Sequence, residues 1–98
     1  VNGNNVPSGF KLYQNYPNPF NPSTVISFAL PKRMFVKLEV FNILGQKIAT
    51  LINGYKSAGI HESIFQTENS NVKIGSGVYV YSLTAGKFRI SRKMEMLK

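Results

Sequence analysis

The sequence predicts an all-β protein, an antiparallel β-sandwich of about seven short strands entered through a proline-rich strap. Three observations predict it. Apolar residues alternate with polar ones in several separate stretches, the period of a half-buried strand. Turn-forming residues punctuate the chain about every 8 to 12 residues. No stretch carries helical periodicity of useful length; the run Ile43 to Ile52 comes nearest, and Gly45, Ile48, Thr50 and Ile52 oppose it.

The elements follow in order. Residues 1–11 include VNGNNVPSGF, rich in Asn, Gly and Pro and without charge before Lys11, and read as a linker. The chain opens at Val1 without methionine and is expected to be a piece of a longer protein whose export signal lies elsewhere. Residues 12–98 form the expected domain. Within it, Pro17, Pro19 and Pro22 fix their own φ and restrain Tyr16, Asn18 and Asn21, so this segment is neither helix nor central strand. It carries Tyr13, Tyr16 and Phe20, which have apolar area to bury. It therefore reads as a strap packed on an edge or end of a sheet, with Pro17, Pro19 and Phe20 against the sandwich.

Thr24 to Leu30 is the first full strand, with Ile26, Phe28 and Leu30 on one face and Ser27 and Ala29 on the other. Pro31 to Phe35 is read as a basic turn. Val36 to Phe41 alternates, with Val36, Leu38 and Val40 inward. Asn42 to Gln46 is a connection in which Gly45 can take positive φ. Gln46 to Ile52 is the next strand, with a bulge expected near Ala49 and Thr50 where the alternation slips. Asn53 to Gly59 opens with an Asn-Gly pair and is read as a turn-rich connection. His61 to Phe65 is a short strand whose alternation leaves either face as the core. Gln66 to Ser76 is a polar link with Val72 and Ile74 as anchors.

Gly77 to Ala85, GVYVYSLTA, favours β structure on both faces and is expected to be central. Gly86 centres a tight turn. Phe88 to Lys98 is the last strand, with Phe88, Ile90, Met94 and Met96 expected inward and Arg92 the odd member of that face.

Composition limits the chemistry. The 98 residues carry a net charge of +8, with Glu39, Glu62, Glu68 and Glu95 the whole acidic complement. Such a balance favours anionic partners, or simply keeps edge strands soluble. There is no cysteine, no aspartate and one histidine, His61. A serine triad, a zinc site and a carboxylate pair all lack ligands or partners on that inventory, and no cofactor is expected. The sequence around Gly75 to Gly77 lacks the lysine and following helix of a phosphate loop. No apolar run approaches the roughly 18 residues of a membrane span. Three features could serve binding: the aromatics Tyr13, Tyr16, Phe20, Phe35, Phe41 and Tyr55, most of them expected to pack; the basic cluster Lys87, Arg89, Arg92, Lys93 and Lys98; and Tyr79, expected as a buried tyrosine with its hydroxyl on backbone.

Four stretches in order carry a resemblance. LYQNYPNPFNPSTVISFALP, VKLEVFNILGQKIATLINGYKSAGIH, SGVYVYSLTAG and SRKMEMLK together resemble the C-terminal sorting domain of the type IX (Por) secretion system. The resemblance implies an immunoglobulin-like sandwich, related to the domain of flagellar hook-capping proteins, with His61 and Phe65 inward. It also implies a non-catalytic module that directs an attached cargo by way of the periplasm through the outer-membrane machinery to the cell surface. The implied partners are that machinery, a surface peptidase that removes the domain, and anionic lipopolysaccharide joined to the cargo; nucleic acid is not among them. The recognition residues it implies are Gly77, Val78, Tyr79 and Tyr81, with Lys93 and Lys98, acting through a preformed sheet edge and a basic tail. Two alternatives remain: a structural or assembly module of an extracellular protein or filament, and a carbohydrate-binding accessory module, which a flat exposed aromatic row would favour.

Overall fold

The computed structural model describes residues 7–70 and 73–98. It contains two antiparallel sheets. β1 (Lys11–Leu12), β2 (Ser23–Leu30) and β5 (Gly59–Gln66) form the first, in the order β1-β2-β5. β3 (Met34–Asn42), β4 (Lys47–Lys56), β6 (Gly77–Ala85) and β7 (Phe88–Met96) form the second, in the order β4-β3-β6-β7. The architecture is the expected all-β sandwich, and it is compatible with the immunoglobulin-like form. A 3-10 turn, Thr67–Asn69, interrupts the link between β5 and β6.

The inward faces follow the alternation. Ile26, Phe28 and Leu30 of β2, Val36, Leu38 and Val40 of β3, and Tyr79, Tyr81 and Leu83 of β6 meet in one buried cluster with Phe65. β6 is central, flanked by β3 and β7 in full register, which explains a strand apolar on both faces. Phe65 is buried and His61 stacks on Phe28 at 5.3 Å, so the inward face of β5 is the one that the resemblance implied. Ile74 is a buried anchor of the link; Val72 lies outside the described residues.

Three local readings are corrected. The strand β4 runs through Asn53-Gly54 to Lys56 instead of turning there. Met34 and Phe35, read as turn, extend β3 and oppose Lys56 and Tyr55, while Val36 opposes Gly54 and Lys37 opposes Asn53. An Asn-Gly pair reverses a chain only where nothing opposite claims its backbone, and here a neighbouring strand does. The reversal falls instead at Ser57 and Ala58, before Gly59 at φ +128°. The expected bulge is real and doubled: the β3–β4 register shifts between Leu38 and Glu39 and again between Val40 and Phe41.

The second correction concerns β7. Met94 and Met96 are buried, but Phe88 is exposed, its ring 5.4 Å from that of Phe10. Arg92 remains exposed and sends its Nε to the carbonyl of Leu12, 2.6 Å away. At its start this edge strand meets Phe10 and β1, the short outermost strand of the first sheet, and not β2 or β5. Phe88 therefore meets one ring and Arg92 meets a carbonyl.

The third correction concerns the strap. Phe20 is 2% exposed, its ring 6.0 Å from Phe65, whereas Pro17 and Pro19 are exposed and Tyr16 is 79% exposed. The prolines shape the path and Phe20 supplies the buried area. The strap also makes isolated bridges, Tyr16 to Val25 in the first sheet and Phe20 to Met96 in the second, so it closes one side of the sandwich.

Candidate functional site

The expected recognition residues fall on one hairpin, β6 and β7. Gly77 opens β6 at φ +150°, a conformation that side chains rarely adopt, opposite Met96. Val78 opposes Glu95 on the outer face and is 42% exposed. Lys93 lies on the same face, opposite Val80, and is exposed. Lys98 follows β7, with its backbone N–H donating to the hydroxyl of Ser76 at 2.8 Å. These four stand at the surface. Tyr79 and Tyr81 point the other way, into the core.

The two tyrosines are structural ties. The Tyr79 hydroxyl donates to the carbonyl of Gly75 at 2.7 Å, fixing the entry into β6. The Tyr81 hydroxyl donates to the carbonyl of Tyr13 at 2.7 Å and accepts from the N–H of Asn15 at 2.8 Å. Burial pushes the Tyr81 phenol up from its ordinary value of 10.0, against smaller lowering effects of the Asn15 N–H and the Arg92 charge. Asn15, not singled out from sequence, is buried and centres the strap: its Nδ2 donates to the Pro17 carbonyl and to Thr24 Oγ1. A short amide that can satisfy backbone beside prolines lacking N–H groups was the available signal.

Tyr81→Phe should lower stability by about 1–3 kcal/mol, because the buried Asn15 N–H and the part-buried Tyr13 carbonyl lose their partner. Equilibrium urea unfolding measures it. The raised folded-state value means that this tyrosine's contribution is complete below pH 10.0 and declines as pH rises through the higher folded value. The alkaline loss of stability should therefore be smaller in Tyr81→Phe.

A preformed open edge at the tail is not what the fold presents. The strap occupies the outer edge of β7 from Lys93 onward. Gln14 Nε2 donates to the Lys93 carbonyl at 2.8 Å, and the Glu95 N–H donates to Asn18 Oδ1 at 2.9 Å. The Phe20 N–H donates to the Glu95 carbonyl at 2.9 Å, and the Leu97 N–H to the Phe20 carbonyl at 3.1 Å. Asn18 and Phe20 alternate with prolines and spend their polar groups on this edge, as buried or edge backbone requires. What the hairpin leaves accessible is its outer face.

His61 and the glutamates do not gather into one site. His61 lies 2.8 Å from the Ser57 carbonyl through Nε2, at the reversal between β4 and β5. Glu39 pairs with Lys47 at 3.4 Å on the second sheet, and Glu62 opposes Ser27 on the outer face of the first, so these acids do not converge. Among the described residues no three His, Cys, Asp or Glu side chains gather as metal ligands, and no helix is long and apolar enough to cross a membrane. More aromatics are exposed than expected: Tyr13, Tyr16, Phe35 and Tyr55 all reach solvent. They do not make a flat row. The Phe35 and Tyr55 rings meet at 84°, and the Arg33 guanidinium covers the Tyr55 face at 4.2 Å.

In comparisons with known proteins, a family model described as "Secretion system C-terminal sorting domain" matches residues 14–96. Neither the curated proteins nor the solved structures gave a match.

Proposed function

The chain belongs to the family of type IX secretion C-terminal sorting domains, and on that premise we propose that it is a non-catalytic module that carries an attached cargo through the outer membrane to the cell surface. The observation that carries this reading is the family match over residues 14–96, which spans the strap from Gln14 and the strands β2 to β7. Its partners are then the secretion machinery, a surface peptidase that trims the domain, and the cargo fused before it. Gly77, Val78, Lys93 and Lys98 are the contact residues in this reading. Tyr79 and Tyr81 act as positioning residues, holding the hairpin in one shape.

The test is a reporter fused in front of this chain, given a periplasmic export signal, in a bacterium with type IX machinery. The reporter should reach the surface, and should stay in the periplasm when the machinery is disabled. Reversing both lysines, Lys93→Glu with Lys98→Glu, should cut surface reporter at least about tenfold, while exposed charges such as these change stability by only about 0.5 kcal/mol. Surface display that is independent of the machinery would refute the sorting reading.

A further inference from the structure

We propose that the outer face of the second sheet carries a docking groove for a protein segment pairing a carboxylate with an apolar side chain. The inference rests on the sorting reading for the identity of the partner, a component of the secretion machinery. It does not rest on it for the chemistry.

The groove encloses about 290 Å³ and is lined by Phe41, Ile43, Val80, Ser82, Arg89 and Ser91. Its floor is set by register. Phe41 opposes Val80, and Ser82 opposes Ser91, so two cross-strand pairs on three adjacent strands form one surface. The exposed Ile43, at the β3–β4 reversal, forms the far rim. That floor is mostly apolar, with the serines and Asn42 as its polar lining and with Glu39, opposite Ser82, neutralised by Lys47 at 3.4 Å, and it accepts a side chain of leucine or phenylalanine size.

Arg89 supplies the specificity. Its Nε donates to Ser82 Oγ at 3.1 Å, and Ser91 Oγ lies 3.2 Å from the same oxygen. Ser82 is 0% exposed, so the guanidinium is tied down over the centre of the sheet. Its terminal nitrogens have no partner among the described residues, where the one ion pair joins Lys47 to Glu39. A guanidinium anchored through Nε keeps its outer N–H groups for a planar anion, and a carboxylate matches that fork. Lys93, opposite Val80, adds a second cation beside the groove, without an ion-pair partner among the described residues. The strap closes the neighbouring edge of β7, so side chains of this face, rather than strand addition at the tail, are what a partner meets.

Two experiments test it. First, the isotope-labelled chain is titrated with acetyl-Leu-Glu-amide, acetyl-Leu-Gln-amide and inorganic phosphate. Amide shifts at Val80, Ser82 and Ser91 are expected with the Glu peptide, and their loss in Arg89→Glu. Equal shifts with the neutral peptide, or with phosphate, overturn the proposal. Second, Arg89→Glu and Ile43→Asp are placed in the exported reporter fusion, with Lys73→Glu as a charge control away from the groove. Surface reporter should fall at least about tenfold for both groove variants and stay normal for the control. Ile43 is exposed in a turn, so its variant keeps the fold even where Arg89→Glu does not. Normal export of both, with a folded thermal melt, overturns the groove. Failure of the unaltered fusion to export overturns the sorting reading instead, and the titration alone then decides the groove.

Discussion

Phe20→Ala should destabilise the domain by about 3–5 kcal/mol, the cost of emptying a fully buried aromatic site. A domain of this size has only about 5–15 kcal/mol in total, so a large part of the stability hangs on one strap residue. The reason is position. Phe20 packs edge-on against Phe65 of the first sheet while its backbone bonds Glu95 of the second sheet and Leu97 just beyond it. Losing the ring empties the site where both sheets meet the strap. Tyr16→Ala, at the exposed end of the same strap, should change stability by no more than about 0.5 kcal/mol. Guanidinium unfolding of the two variants side by side measures the contrast. Equal effects would mean that the strap is held by its backbone bonds and not by the buried ring.

Removing Met94 to Lys98 should abolish cooperative folding. Met94 and Met96 are buried, and each is worth about 2–5 kcal/mol as a core methionine. The same cut removes both Phe20 backbone partners, Glu95 and Leu97. The summed loss reaches the whole stability expected of such a domain, so calorimetry should show no transition. A cargo bearing this truncation would fail to be exported for want of a folded module, whatever the tail signals. A truncated chain that still melts cooperatively would show the tail to be separable from the core. Met96→Leu, close in volume, should cost less than about 1.5 kcal/mol and keep export.

Much of this was legible in the chain. The alternation in Val36 to Phe41 and in Gly77 to Ala85 marked inward faces that the structure keeps, because a period of two allows only one set of residues to face the core. The slip near Ala49 and Thr50 marked the bulged stretch of β4. The recognition set that the resemblance implied draws on both faces of β6: the alternation, kept by the structure, sends Val78 to solvent and Tyr79 and Tyr81 inward.

The sequence by itself determined the all-β class, the inward faces of β2, β3 and β6, the proline-defined strap and the family to which the chain belongs, since local period and local φ restriction need no knowledge of neighbours. Only the tertiary structure decided what lies opposite each residue. Asn53-Gly54 became strand because Lys37 and Val36 stand across from it, and Phe88 stayed exposed because its neighbour is Phe10 and not the first sheet. The strap took the edge of β7 because Asn18 and Phe20 place their polar groups where the backbone of that edge had no other partner. Pairing partners far apart in the chain are chosen by the global packing of two sheets, a property that no local window contains.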